Sequence, residues 1–225
     1  MSRENGFSWV YFMEGKEHYL KGTTTVGILC KDGVVLAADK RATAGHLIAD
    51  KRAQKIYEIA ENMAITTAGG VSDNQLIAKL IKAEIKLKNV RTGKSATVRE
   101  SANLLASIVY GNIRKMSMMP AITHLLLGGK DDSGNYLYDI YPDGSLNEVA
   151  DFVASGSGST MAYGVLETLY KKDMETNEAT ELAVKALNAA LRRDSASGNG
   201  FVVLTITGEG TKRVADEELD VQLKI

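Results

Sequence analysis

Two prolines, one cysteine and three histidines in 225 residues leave little of what several function classes require. The lone Cys30 excludes an internal disulfide and a cysteine-built zinc site, and it points to a reducing compartment. His18, His46 and His124 form no ligand-spaced pair with one another or with Cys30, so no metal centre is expected. Net charge is scarce too. The 27 Lys and Arg residues oppose 28 Asp and Glu, and a net −1 argues against a protein that holds nucleic acid by electrostatics. No stretch approaches the ~20 apolar residues of a membrane span, which argues against a membrane-embedded chain. Aromatic residues make up only 6%, yet Phe7, Trp9, Tyr11, Phe12 and Tyr19 crowd the start of the chain.

That start does not read as a secretory signal, and none is expected. Phe7 to Met13 is barely long enough, contains Ser8, and runs directly into Glu14, Lys16, Glu17 and His18. Two readings remain: a terminus docked on the body through its aromatics, or a removable pro-segment, because after Lys21 and Gly22 the sequence changes abruptly to TTTVGILC. The chain is 44% apolar and has no low-complexity linker, so one domain able to bury a sizeable core is expected over residues 23–225.

From Thr23 to Ala68 the chain reads as strands joined by turns: TTTVGILC, the Lys31-Asp32-Gly33 turn, VVLAAD, KIYEIA, Glu61-Asn62 and MAITTA. Helical period follows from about 72 to 90, with Leu76, Leu80, Ala83 and Leu87 on one stripe and Ile77, Ile81 and Ile85 beside it. A second helix opens with the capping box Thr97-Val98-Arg99-Glu100 and runs to about Met116. The pattern then repeats in kind. Strands at THLLLGG and YLYDIY and a strand region to Val153 precede helices over roughly 160–172 and 177–193, and FVVLTIT and a final extended segment close the chain. Runs of strands alternating with pairs of helices predict an α+β fold, with two antiparallel sheets face to face and a helix pair over each outer face.

Two tempting motifs fail. Thr92-Gly93-Lys94-Ser95 resembles the end of a phosphate-binding loop, but Lys88 stands where that loop needs its first glycine, so a helix-terminating turn is expected. Ser155-Gly156-Ser157-Gly158-Ser159 lacks both the third glycine of a dinucleotide fingerprint, replaced by Met161, and the first glycine of a nucleophile elbow. Neither His46 nor His124 has neighbours that mark an imidazole base. The backbone offers another base. If the bond between Gly22 and Thr23 is cut, Thr23 gains a free α-amine of reference pKa roughly 7.7–8, able to take its own hydroxyl proton at neutral pH. Glycine before the cut suits the bend that brings the Thr23 hydroxyl onto the Gly22 carbonyl.

The ordered runs KGTTTVG, VVLAADKRATAG, QKIYEI, TTAGGVSD, ASGSGST and RRDSASGNG resemble a proteasome β-subunit, most closely the archaeal type, from about Gly22 to about Thr207. The resemblance implies the four-layer αββα fold of N-terminal nucleophile hydrolases, agreeing with the element order read above. It also implies that Thr23 is an N-terminal catalytic threonine exposed by autocatalytic loss of a propeptide, residues 1–22, cut between Gly22 and Thr23. Asp39 and Lys55 match the family's acidic residue and lysine, an ammonium that lowers the pKa of the Thr23 hydroxyl and a carboxylate that holds it. Gly69 matches the oxyanion-hole glycine, and Ser157, Asp194 and Ser197 match the polar groups around the threonine amine. Thr43 and Val71 match positions whose backbones hold an extended substrate, while Ala42, Ala53, Thr67 and Val71 would line the pocket for the residue before the cut. Being small or apolar, these four suggest tolerance for a large apolar side chain.

By the same resemblance the chain is a threonine-type endopeptidase subunit, cytoplasmic, needing no cofactor and no metal. It would work in four stacked seven-membered rings with α-subunit rings and other β-subunits, degrading unfolded polypeptide delivered by an ATPase regulatory particle. Two alternatives are the peptidase subunit of the bacterial ATP-dependent two-component protease, which forms six-membered rings, and an inactive structural β-ring subunit. Cutting after Gly22 removes the only tryptophan, Trp9. Processing is therefore expected to abolish tryptophan fluorescence of the purified chain, which an emission spectrum taken before and after assembly checks.

Overall fold

The structure, a computed structural model, describes residues 22–117 and 121–219. Apart from Gly22, the expected propeptide with its five aromatics lies outside the described residues. Strands β1 (Thr25–Leu29) and β2 (Val34–Asp39) form a hairpin, followed by a short ribbon of β3 (Ala42–Ala44) and β4 (Leu47–Asp50), then β5 (Ile56–Ala60) and β6 (Met63–Gly69). Helices α1 (Val71–Thr92) and α2 (Val98–Ile113) come next. Strands β7 (Thr123–Asp131), β8 (Gly134–Ile140), β9 (Leu146–Val149) and β10 (Phe152–Ser155) precede α3 (Ser159–Leu169) and α4 (Thr176–Leu191), and β11 (Gly200–Thr207) and β12 (Gly210–Glu218) close the order. The β3–β4 ribbon is an addition to the sequence reading, because its four-residue second strand is exposed throughout and carries no buried face to set a pattern.

Two five-stranded antiparallel sheets, ordered β10-β1-β2-β11-β12 and β5-β6-β7-β8-β9, are stacked between the helix pairs. Alternation along the strands accounts for the layers. On β2, Val34, Leu36 and Ala38 enter an inter-sheet core with Ala64, Leu126, Leu137, Val153 and Leu204, while Val35 and Ala37 join the core under α3 and α4. A third core places Ile65, Leu125 and Leu127 beneath α1 and α2. Three apolar seams between four layers are the expected αββα sandwich. Every residue of β2 is buried, which is why VVLAA reads as a continuous apolar run.

Helix ends follow local chemistry. Thr97 and Glu100 form the reciprocal capping box at the start of α2, with Thr97 N–H donating to Glu100 Oε2 at 2.8 Å and Glu100 N–H to Thr97 Oγ1 at 3.2 Å. Gly93 ends α1 at φ 67°, so the Thr-Gly-Lys-Ser run is the helix stop the sequence suggested. Tertiary caps supplement the local ones. Asp32, in the β1–β2 turn, accepts from Thr176 N–H at 2.9 Å and Thr176 Oγ1 at 2.8 Å, and Asp131, beside the β7–β8 turn, accepts from Val98 N–H at 2.9 Å.

On α1 the two apolar stripes separate. Ile77, Ala78, Ile81 and Ile85 are buried, whereas Leu76, Leu80 and Leu87 are 49%, 40% and 41% exposed, so the leucine face has no cover among the described residues. Among the described residues no helix is long and apolar enough to cross a membrane. Replacing Ile81 by alanine is expected to cost about 2–5 kcal/mol and Leu80 by alanine less than about 1 kcal/mol, a contrast that thermal or urea unfolding of the single chain checks.

Candidate active site

Strand register brings three elements to one end of the sandwich. Thr25 pairs with Ala38, which sets Thr23 and Thr24 beside the last residue of β2, Asp39. Thr24 N–H donates to Asp39 Oδ1 at 2.9 Å and Asp39 N–H donates to the Thr24 carbonyl at 3.1 Å. Lys55, just before β5, comes from the other sheet, anchored where Thr67 N–H donates to its carbonyl at 2.9 Å. Its ammonium donates to Asp39 Oδ1 at 2.6 Å. Both side chains are buried, Lys55 at 7% and Asp39 at 1% exposure. Burial pushes the Lys55 pKa below its ordinary value, and the Asp39 charge and hydrogen bond offset part of that shift.

The carboxylate is fully occupied. Oδ2 of Asp39 accepts from Arg41 N–H and from Gly198 N–H, each at 3.0 Å, in addition to the two donors on Oδ1. The Gly198 contact draws in the loop after α4, which carries Asp194 and Ser197, and Ser157 reaches them from the turn before α3. Ser157 Oγ and Ser197 Oγ donate to Asp194 Oδ2 at 2.5 and 2.6 Å, and Ser197 Oγ lies 2.7 Å from Thr24 Oγ1. In this uncut chain the network therefore reaches Thr24.

A cavity of about 810 Å³ opens at this end. Gly22, Thr23, Lys55 and Gly69 line it together with Ala42, Thr43, Ala53, Thr67 and Val71, so all five expected substrate-binding residues meet the nucleophile candidate. Asp39, Ser157, Asp194 and Ser197 support the cleft from outside its lining. Thr23 Oγ1 donates to the Gly22 carbonyl at 2.8 Å. A Cβ on Gly22 would fall 1.7 Å from the Ala196 Cβ, so only glycine fits there. Gly69 has φ 139°, and a Cβ on it would lie 2.2 Å from the Ile122 carbonyl oxygen.

Several contributors were hidden from sequence reasoning. Arg41 clamps the loop after α4, donating from Nε to Asn199 Oδ1 and from Nη1 to the Ser195 carbonyl, both at 2.8 Å. Asn199 is held at φ 62°, a conformation unusual for a residue with a side chain. Gly156, at φ 90°, lets the backbone approach Thr23, since a Cβ would stand 1.9 Å from the Thr23 carbonyl oxygen. The Ser-Gly-Ser-Gly run was the available signal for that close approach. His124 takes no part in this cleft; it pairs with Asp139 at 2.6 Å and stacks on Tyr141.

Comparison with known proteins bears on the same span. A sequence model of the family described as Proteasome subunit matches residues 19–206. The Proteasome subunit beta of Ferroglobus placidus is 47% identical over 204 residues, covering 91% of this chain and 95% of that protein. The subunit so named from Methanococcus maripaludis strain C7 is 46% identical over 212 residues, with 94% and 95% covered, and that of Methanosphaerula palustris is 47% identical over 201 residues, with 89% and 93% covered.

Removing the Lys55 ammonium leaves a buried carboxylate with only backbone donors. Lys55→Ala is expected to cost about 3 kcal/mol, the low end for breaking a buried pair, because three N–H groups still hold Asp39. The sign of its pH dependence follows from the lowered pKa. In the alkaline window below 10.5 the unfolded chain binds more protons than the native one, so the wild type gains stability there as pH rises and Lys55→Ala does not. Urea unfolding across that window measures both effects.

Proposed function

We propose that this chain, which belongs to the proteasome subunit family and is a β subunit of the core particle, acts as a threonine-type endopeptidase after cleavage between Gly22 and Thr23. The observation that carries the reading is the meeting of Thr23, an Asp39-held Lys55 and Gly69 in one extended cleft. Its relatives are β subunits along nearly their whole length, which favours this family over the bacterial two-component peptidase. The complete Thr23–Lys55–Asp39 set argues against an inactive ring subunit.

Activation starts from the uncut chain. Thr23 Oγ attacks the Gly22 carbonyl carbon, the bond from that carbon to the Thr23 nitrogen breaks, and an ester links Gly22 to Oγ. Water then hydrolyses the ester, releasing residues 1–22 and leaving a free Thr23 amine. The Thr23 hydroxyl already touches the Gly22 carbonyl oxygen and has to rotate onto the carbon. In the mature subunit the amine takes the Oγ proton, Oγ attacks a substrate carbonyl, and the Gly69 N–H stabilises the developing oxyanion. The leaving amine takes a proton, and water resolves the acyl ester with the Thr23 amine as base. Lys55 favours the alkoxide electrostatically, an effect strengthened by its burial. Backbone at Thr43 and Val71 holds the substrate extended.

In this reading the subunit works in the cytoplasm within the core particle, in seven-membered rings stacked against α-subunit rings and fed with unfolded polypeptide by an ATPase. The uncovered Leu76, Leu80 and Leu87 face of α1 supplies apolar surface for such ring contacts. Thr23→Ala should retain all 225 residues and show no peptidase activity, as intact mass and a fluorogenic peptide assay of the assembled particle report. Gly22→Ala should slow self-cleavage at least about tenfold by its overlap with Ala196, while a chain begun at Thr23 bypasses that step. Full-length chains that hydrolyse peptide would overturn the mechanism.

A further inference from the structure

Thr23, Thr24 and Thr25 follow one another into β1, and their hydroxyls are held differently. That of Thr23 reaches the Gly22 carbonyl, and that of fully buried Thr25 lies 3.1 Å from Ser155 Oγ on β10, its partner in the sheet. Thr24, also fully buried, has every polar group committed. Its N–H donates to Asp39 Oδ1, its carbonyl accepts from Asp39 N–H, and its Oγ1 lies 2.7 Å from Ser197 Oγ. Proton count fixes the direction of that last bond. Ser197 spends its single proton on Asp194 Oδ2, as Ser157 does, so Thr24 is the donor. A hydroxyl chain thus runs from Thr24 through Ser197 to the Asp194 carboxylate, whose other oxygen accepts from Ala196 N–H at 3.1 Å.

Packing closes the same residue in. A Cβ on Gly158 would fall 2.0 Å from Thr24 Oγ1, as one on Gly156 would fall 1.9 Å from the Thr23 carbonyl oxygen. The two glycines of the Ser-Gly-Ser-Gly-Ser run therefore let the turn before α3 seat against both threonines. Once the bond to Gly22 is cut, Thr23 becomes a chain end joined to the rest by one peptide bond, and a chain end keeps a fixed place only where it is tied down. Thr24 is that tie. Through its backbone it grips Asp39, which holds Lys55, and through its side chain it reaches Asp194. We infer that Thr24 is a positioning residue, whose hydroxyl fixes the nucleophile Thr23 between the two carboxylates for self-cleavage and for peptide hydrolysis alike. This role rests on the peptidase reading. A shift of Thr23 Oγ by about 1 Å would cost up to about a hundredfold in rate.

The test compares Thr24→Ala with Thr24→Ser in the assembled particle, because both lack the methyl group and they differ only in the hydroxyl. Intact mass follows self-cleavage and counts exposed Thr23, and a fluorogenic peptide gives KM and kcat per exposed Thr23. Thr24→Ala should slow self-cleavage and lower kcat, each by about tenfold or more, with KM within about twofold of wild type, whereas Thr24→Ser should stay within about threefold throughout. A Thr24→Ala chain that keeps residues 1–22 while Thr24→Ser loses them supports the role equally. Thr24→Val, which fills the space without a hydroxyl, should match Thr24→Ala and stands in for it if that chain does not assemble. Thr25→Ala is the control: it removes a buried hydroxyl next door that reaches Ser155 and neither carboxylate, and should leave kcat within about threefold of wild type. Thr24→Ala as active as Thr24→Ser would overturn the inference, and so would an equal loss of kcat in Thr25→Ala, the mark of a general effect on folding. Wild-type particles with Thr23 exposed that hydrolyse no peptide would instead sink the underlying reading.

Discussion

Everything at the cleft end of this molecule hangs on one carboxylate. Asp39 closes β2, yet its two oxygens receive the Thr24 N–H from just before β1, the Lys55 ammonium from the edge of the second sheet, the Arg41 N–H two residues on, and the Gly198 N–H from the loop after α4. Two sheets and a loop are thus joined through a single buried group. An aspartate so placed is tolerable only because every acceptor site has a donor, and an ammonium is tolerable beside it because the carboxylate offsets much of its desolvation. The offset is incomplete, which is why the Lys55 pKa falls. In the mechanism proposed above, such a lysine, lining the cleft with Thr23, acts through its charge and not as a proton carrier.

Close backbone approach is the second constraint. The Thr23 carbonyl leans on Gly156, and Gly22 leans on Ala196, with no room for a side chain at either glycine. These contacts hold the Gly22–Thr23 peptide against the loop that carries Asp194 and Ser197. Arg41 reinforces that loop from behind by gripping Ser195 and Asn199. The strained φ of Asn199 is the cost of bending the chain so that Gly198 can reach Asp39.

Much of this was readable along the chain. The apolar runs of β2, β7 and β11, the Thr97–Glu100 capping box and the Gly93 stop are local signals, and their order forecast two sheets between helix pairs. The ordered motifs around Thr23, Asp39, Lys55 and Gly69 supplied the candidate site by resemblance. Other features escaped for identifiable reasons. The leucine and isoleucine stripes on α1 have equal claim to burial by periodicity, and only the sheet beneath decides between them. The β3–β4 ribbon has no buried face to produce a pattern. Arg41 reads as one basic residue among many until the loop after α4 is folded onto it.

Sequence by itself determined the elements, their caps and the chemistry available, because hydrophobic period, capping and turn formation act over a few residues. Tertiary structure alone decided which faces meet, how Asp39 is satisfied by donors from just before β1, just before β5 and the far loop, and that, among the described residues, Thr66, Thr67, Asn74 and Thr123 each keep a buried oxygen without a partner. Those outcomes depend on contacts between residues far apart in the chain. Whether a polar side chain is paired, buried or orphaned is a property of its surroundings, which no local pattern encodes.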